Sequence, residues 1–450
     1  MTSRMDHKRR ELEQLESGGR YHGYLYAYPH KTAYRPLSSP QTLRDVWRDV
    51  DQRQLFLYMH VPFCAVRCGF CNLFTATGGH ARGQENVFLD ALKRQATATR
   101  KALPDARFHR LAIGGGTPTF LSADGLHKMF DLANDMGLVV DAPRAVEGAP
   151  DSTTPERMTA LKDRGTTRYS MGVQSFVEEE CDALGRPQSS AKVEAALRAI
   201  HDAAFAVFNL DLIYGTPGQT PASWKQSLQQ AVDTGANELF LYPLYVRELT
   251  GLDKGKRLPL VDDERQRQQE ELYEQGRDFL IASGWEQVSM RFFRRHADGD
   301  APAYSCQDDG MVGLGVGARS YTTSLHYSFD YAVGRASVVD IYKSWAERDV
   351  DDFSVVEHGF VLDLEEQRRR FAIQSLLQVA GVNRQHFQRR FGVDVVDALP
   401  ELELLDDRGW LMADEDVVSL TSAGLARSDL IGPWLISDDV SERMAAYELR

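Results

Sequence analysis

The sequence predicts an α/β protein: a partial barrel of six strand–helix units, preceded by an N-terminal arm and followed by a C-terminal winged-helix-like domain. Three observations carry that prediction. Short apolar runs recur along the middle of the chain, with amphipathic stretches between them, the pattern of parallel βα units. An aromatic, proline-containing segment stands before the first run. Beyond about residue 356 the texture changes to helical stretches and a short hairpin.

Residues 1–52 begin with a charged helical stretch and continue as YHGYLYAYPHKTAYRPL, whose repeated Tyr and two Pro read as an extended arm. In the segment 53–345 the strand candidates are LFLYMHV (55–61), RLAIGG (110–115), RAVEGA (144–149), RYSMGVQ (168–174), FNLDLIYG (208–215) and ELFLYPL (238–244). The stretches NVFLDALKRQATATRKAL and AKVEAALRAIHDAAF carry apolar residues at helical spacing. Six units suggest an incomplete, splayed barrel, although periodicity alone leaves an open doubly wound sheet as an alternative. In 356–450, two or three helices precede a hairpin within DRGWLMADEDVVSLTSAGLARSDL.

With 43% hydrophobic and 26% charged residues in 450, the composition is that of an ordinary globular protein. No run approaches the ~20 apolar residues of a membrane span, and the first residues lack the apolar core of a signal peptide. No membrane association and a cytoplasmic location are therefore expected. The net charge of −13 argues against nucleic acid as a partner. The winged-helix-like segment 361–450 carries 17 acidic against 10 basic residues, which favours packing or a lid over DNA binding. Of the local basic runs, RFFRR reads as a solvated face.

Only five cysteines occur, at 64, 68, 71, 181 and 306. Cys64, Cys68 and Cys71 form C-x₃-C-x₂-C, a clustering that points to metal, not to disulfides. Three thiolates on one loop can hold three irons of a cubane and leave the fourth open for substrate chemistry. Zinc is the competing reading, with His60 and His80 available as a fourth ligand.

The run Y-x-H-x-P-F-C-x₃-C-x-F-C resembles the cluster loop of the radical S-adenosylmethionine (SAM) superfamily, in particular its HemN-like branch. That branch includes oxygen-independent coproporphyrinogen III oxidase, the heme chaperone HemW and class C radical SAM methyltransferases. The resemblance implies a [4Fe–4S] cluster on Cys64, Cys68 and Cys71, with SAM chelating the open iron and cleaved to a 5′-deoxyadenosyl radical. It also implies SAM contacts from Tyr58 and Phe70, which would otherwise read as a strand residue and a core aromatic.

GGGTPTFL (114–121) follows a strand, and its glycines would let backbone approach a ligand with N–H groups free for a carboxylate. The resemblance places Gly115 against the first SAM, and Gly116 and Thr117 against a second. It likewise makes Glu147 a contact of the first SAM, and Gln174, Arg186 and Asp211 contacts of the second. Those residue types suit the role: Asp accepts from ribose hydroxyls, Arg pairs with a carboxylate, Gln does either. Pro243 stands at a matching position beside the sixth strand. Arg319, in GLGVGARSY, stands in a glycine-rich segment that the resemblance places near adenine.

The chain departs from coproporphyrinogen oxidase at Phe70-Cys71-Asn72-Leu73, where that enzyme has a further cysteine, and in its arm. Tyr24, Tyr26, Tyr28, His30, Lys31, Tyr34 and Arg35 would form either an aromatic and basic wall over the barrel mouth or a packed arm. The expected function is a radical SAM enzyme using two SAM molecules, with class C methyl transfer to an sp² carbon of a small-molecule substrate as the first reading. Porphyrinogen decarboxylation and HemW-like heme trafficking are the alternatives. With no second cysteine cluster, an external flavodoxin or ferredoxin would supply electrons.

Overall fold

A computed structural model of the chain describes residues 2–25, 27–255, 258–260, 262–295 and 307–449; Tyr26 and Cys306 lie outside the described residues. The chain divides into two units, residues 34–261 with 304–361 and 448–450, and residues 1–33 with 262–303 and 362–447. These units do not follow the three contiguous blocks read from the sequence.

In the first unit, RPLSSPQT forms a strand, β1 (Arg35–Thr42), where an arm was expected. Its two prolines cannot donate to a ladder, and β1 accordingly stands at an end of the strand order. Each apolar run of the middle segment then becomes a strand: β2 (Leu55–Val61), β3 (Phe108–Gly115), β4 (Arg144–Gly148), β5 (Arg168–Gln174), β6 (Val207–Tyr214) and β7 (Glu238–Pro243). Between them run α1 (Glu85–Ala102), α2 (Ala123–Asp135), α3 (Pro155–Asp163), α4 (Glu178–Ala183), α5 (Ser190–Ala203) and α6 (Pro221–Asp233). Their starts are written locally: the hydroxyls of Ser122, Thr154 and Thr220 each accept a first-turn N–H.

Strands β2 to β7 are all parallel and stand in sequence order. A doubly wound sheet would reverse its order partway, so this succession settles the choice for barrel-type winding. Beyond β2 the sheet continues through β8 (Met311–Leu314), parallel to β2, and the antiparallel β9 (Arg319–Tyr321), β10 (Leu325–Ser328) and β11 (Val355–Val361). The sheet is therefore mixed. These strands lacked the continuous apolar run that marks the other six.

In the second unit, a 16-residue helix (Thr2–Ser17) buries Lys8, whose Nζ donates to the carbonyls of Trp434 (2.9 Å) and Ile436 (3.2 Å). The unit also holds a 20-residue helix (Asp263–Ala282) and the hairpin of Trp285–Gln287 with Phe292–Arg295. Its C-terminal part has helices Leu364–Leu376 and Arg384–Phe391 and a three-stranded sheet closed by the hairpin Leu411–Ala413 with Val417–Leu420, the expected winged-helix-like pattern. RFFRR is not a solvated face. Arg291 is buried, ion-paired with Asp429 and stacked 3.9 Å over Tyr24. Tyr28 is buried too, its hydroxyl bonded to Glu366 and its carbonyl accepting from Arg370 Nη1 at 2.7 Å. For Tyr24 and Tyr28 the packed arm is the arrangement found.

Candidate active site

The loop after β2 carries all three cysteines, each partly exposed. Phe63 anchors its start, fully buried among Phe88, Phe120 and Tyr342. Gly69 holds its middle: its N–H donates to Leu184 O and its carbonyl accepts from Leu252 N, both at 2.8 Å. A Cβ at Gly69 would stand 2.7 Å from Leu184 O, so only glycine permits this docking. Phe70 packs against Leu184, Ile213, Leu244, Val246 and Leu252, which is the core role its sequence position allowed.

The three-glycine run at the end of β3 faces this loop, and each glycine is there for a separate reason. A Cβ at Gly114 would meet the Glu147 carboxylate at 2.8 Å, one at Gly115 the His60 ring at 2.6 Å, and one at Gly116 the Phe63 carbonyl at 2.6 Å and Cys64 Sγ at 3.1 Å. The expectation of free N–H groups is not met. Gly115 N donates to Glu147 Oε2 (3.2 Å), Gly116 N to Val61 O and Thr117 N to Phe63 O (both 2.8 Å). The run does hold a carboxylate, but it is the chain's own Glu147. Thr117 Oγ1 lies 3.3 Å from Cys64 Sγ.

Arg186 reaches the loop from the turn after α4. Its Nη1 donates to Cys68 Sγ (3.2 Å), its Nη2 to Gly172 O (2.6 Å) and its Nε to Gln188 Oε1 (3.4 Å). Gln174 ends β5 with a left-handed φ of 70°, where the register against β6 shifts. A non-glycine residue held there stores backbone strain, a common feature of functional sites. Asp211, on β6, accepts from Asn209 Nδ2 at 2.8 Å.

Burial first, then the charge of Asp211, pushes the Glu147 carboxyl up to about 7; the Gly115 N–H and Arg168 oppose this. Burial likewise lifts Asp211 to about 6 against the pull of Asn209, Arg168 and Arg186. Both carboxyls therefore sit in a pocket that lacks the positive charge to ionise them fully, and a cationic ligand would supply it.

The structure thus ties Cys64 to Thr117, Cys68 to Arg186, Gly115 to Glu147, and Asp211 electrostatically to Arg186 and Glu147. Tyr58 lies on β2, its hydroxyl 3.2 Å from His60 Nδ1. Pro243 ends β7, buried opposite Tyr214. Arg319 lies on β9, two strands from β2, with its guanidinium 5.8 Å over Tyr321.

Asn209 was missed as a site component and His60 was named only as a possible zinc ligand; both lie on the inward period of strands already identified. His60 is buried between Gly115 and Gly317, where a Cβ at either would strike its ring. Asn209, 1% exposed, bridges Asp211 to Ser170 Oγ at 2.6 Å. Each stands two residues before or after a named residue on the same strand, and period two was the available signal.

The donor set fits an iron–sulfur cluster better than a single ion. Among the described residues no group of three or more His, Cys, Asp or Glu is arranged to hold one metal ion. Three thiols on one loop, each able to serve a different iron, suit a cubane. Burial first, with the nearby sulfurs of Cys71 and Cys68 adding to it and Thr117 opposing, pushes the Cys64 thiol up to about 12. Such a thiol ionises when a metal compensates the charge.

A thiol trio at the C-terminal mouth of a parallel barrel defines a metal-cluster protein of the α/β barrel class. Residues 58–231 match the model of the radical SAM superfamily, and residues 362–427 that of the HemN C-terminal domain. The chain thus carries a radical SAM domain followed by a HemN C-terminal domain. It is 34% identical to the heme chaperone HemW of Mycobacterium tuberculosis over 198 residues, 44% of this chain; the matched part spans about half (51%) of that relative. It is 27% identical to the oxygen-independent coproporphyrinogen III oxidase of Pseudomonas aeruginosa over 425 residues, 91% of this chain and 90% of that one. The solved coproporphyrinogen III oxidase (HemN) from Escherichia coli shares the fold, with a TM-score of 0.77 at 22% identity, over 92% of this chain and 96% of that one. No helix among the described residues is long and apolar enough to cross a membrane.

Proposed function

We propose that the chain is a radical SAM enzyme acting on a tetrapyrrole, with oxidative decarboxylation of a porphyrinogen as its reaction. The observation that carries this is the alignment with coproporphyrinogen III oxidase along nine-tenths of both chains, cluster loop and C-terminal domain included. Methyl transfer, the first reading from sequence, loses that place: the relatives named above are an oxidase and a chaperone. The bound cluster with SAM would supply a 5′-deoxyadenosyl radical. The chain's own part is to bind and orient: Glu147 with the Gly115 N–H for the first SAM, and Gln174, Arg186 and Asp211 for a second.

The missing cysteine after Cys71 favours a second reading, HemW-like heme binding. One anaerobic experiment separates them. The reconstituted protein is incubated with SAM, a reductant and coproporphyrinogen III, and in parallel titrated with heme. The proposal expects 5′-deoxyadenosine, carrying one substrate hydrogen, and a substrate lighter by one carbon dioxide and two hydrogens per propionate converted. The second hydrogen leaves as a proton and its electron passes to an added acceptor. Neither product should form after joint replacement of Cys64, Cys68 and Cys71 by Ala. Tight heme binding with no change in porphyrinogen mass would replace the enzyme by the carrier. Deuterium passing from a labelled SAM methyl into 5′-deoxyadenosine would restore methyl transfer.

A further inference from the structure

The reading above gives Arg186 one task, a carboxylate of a second SAM. Its surroundings give it another. A half-buried guanidinium ordinarily sits against Asp or Glu, because burying an unpaired charge is costly. No Asp or Glu among the described residues forms an ion pair with Arg186; its contacts are a sulfur, a backbone carbonyl and a neutral amide. The one atom of these that becomes anionic is Cys68 Sγ, at 3.2 Å.

That placement is built, not incidental. The turn carrying Arg186 is fastened to the cysteine loop by the Gly69 N–H on Leu184 O, one residue after Cys68 and two before Arg186. Gly185, with φ of 64°, lies so close to the loop that a Cβ there would stand 3.2 Å from Gly69 N. Arg186 N in turn donates to Cys181 O at 3.0 Å, fixing the residue's start. Gly172 O and Gln188 then hold the other two corners of the fork, so the remaining Nη1 faces the thiol.

We propose that Arg186 tunes the cluster: its guanidinium donates a hydrogen bond to the Cys68 thiolate and makes the cluster easier to reduce. Adding an electron increases negative charge on the cysteine sulfurs, and a fixed cationic donor stabilises that state more than the oxidised one. The same guanidinium also acts electrostatically on Asp211, so a ligand held there and the cluster would share one charge. The inference rests on the reading that Cys64, Cys68 and Cys71 hold the cluster.

The test is a redox titration of the anaerobically reconstituted full chain, followed by electron paramagnetic resonance without SAM, so that no lost SAM contact contributes. Wild type, Arg186→Lys and Arg186→Gln are compared after iron and sulfide counts and circular dichroism. The expected order of midpoint potentials is wild type highest, Lys lower, Gln lowest: Lys keeps charge but loses the fork, and Gln loses both. Equal potentials in loaded wild type and variants would overturn the inference while leaving the cluster reading intact. If Arg186→Gln takes up no iron, Arg186→Lys decides alone. If neither folded variant loads, Arg186 serves assembly and the tuning role is wrong. A wild type that loads no cluster would sink the reading itself.

Discussion

Glu147 is where residue chemistry and the fold meet most directly. Its carboxyl is held at about 7 against an ordinary 4.5, chiefly by burial, so the folded protein keeps a proton there that the unfolded chain has released. Between those two values the native state binds more protons than the unfolded one, and stability falls as pH rises. The contribution is favourable below about pH 4.5 and is lost as pH passes through 7. Glu147→Gln keeps the acceptor for the Gly115 N–H but cannot ionise. Without ligands, urea denaturation should find the variant more stable than wild type at pH 8 by on the order of 1–3 kcal/mol, the advantage vanishing towards pH 4.5. An advantage that stayed constant across this range would remove the buried charge as its cause. Asp211 contributes in the same direction over a lower window, ending near 6, and Asn209 is what keeps it from rising further. The sequence marked Glu147 and Asp211 through resemblance, and nothing in it marked the pressure of Asp211 on Glu147. That depends on β4 and β6 bringing them near each other, a relation no local pattern contains.

Among the elements, the glycine run after β3 has the narrowest tolerance. Gly116→Ala would drive a methyl against the Phe63 carbonyl and Cys64 Sγ, shifting the first cysteine of the loop. Gly79→Ala, at a glycine whose added Cβ would meet nothing within 4 Å, is the control. Gly116→Ala should bind less than half the wild-type iron after reconstitution, with Gly79→Ala at the wild-type level; equal loading would show that the loop yields easily. The strands themselves were readily legible: LFLYMHV and RYSMGVQ were bounded at 55–61 and 168–174 from their apolar runs, and the other four came within two residues at either end. Fully buried parallel strands write themselves as continuous apolar runs, which is why these six stood out. The later strands β8 to β11 did not, three of them being only three or four residues long and the fourth, VVEHGFV, being interrupted by Glu357 and His358. The glycine run was recognised as a close approach, but its N–H groups were assigned to a ligand. The backbone partners Val61 and Phe63 lie over fifty residues earlier, and their arrival depends on how the cysteine loop turns back over β3.

At the scale of the whole chain the question is where the electrons enter. Cys181 is buried, its thiol facing Ser175 O at 3.3 Å, and no second ligand group for a metal ion exists among the described residues. With a single cysteine loop in the sequence, an external one-electron carrier approaching that loop is the expected donor. Val66 and Leu73 flank the cysteines and are 46% and 41% exposed, large apolar side chains left in water on the loop itself. Isolated exposed apolar residues are ordinary, but a pair beside a redox centre suits a weak, transient contact with a carrier. NADPH alone should therefore support no SAM cleavage, whereas NADPH with a flavodoxin and its reductase should. Val66→Glu should slow cleavage several-fold when flavodoxin is the donor and leave cleavage driven by dithionite unchanged, since a small reductant needs no docking surface. Counting 5′-deoxyadenosine under both regimes reads the difference directly. An equal loss with either donor would place Val66 in the cluster's support, and cleavage with NADPH alone would mean that electrons enter by a route the described residues do not contain.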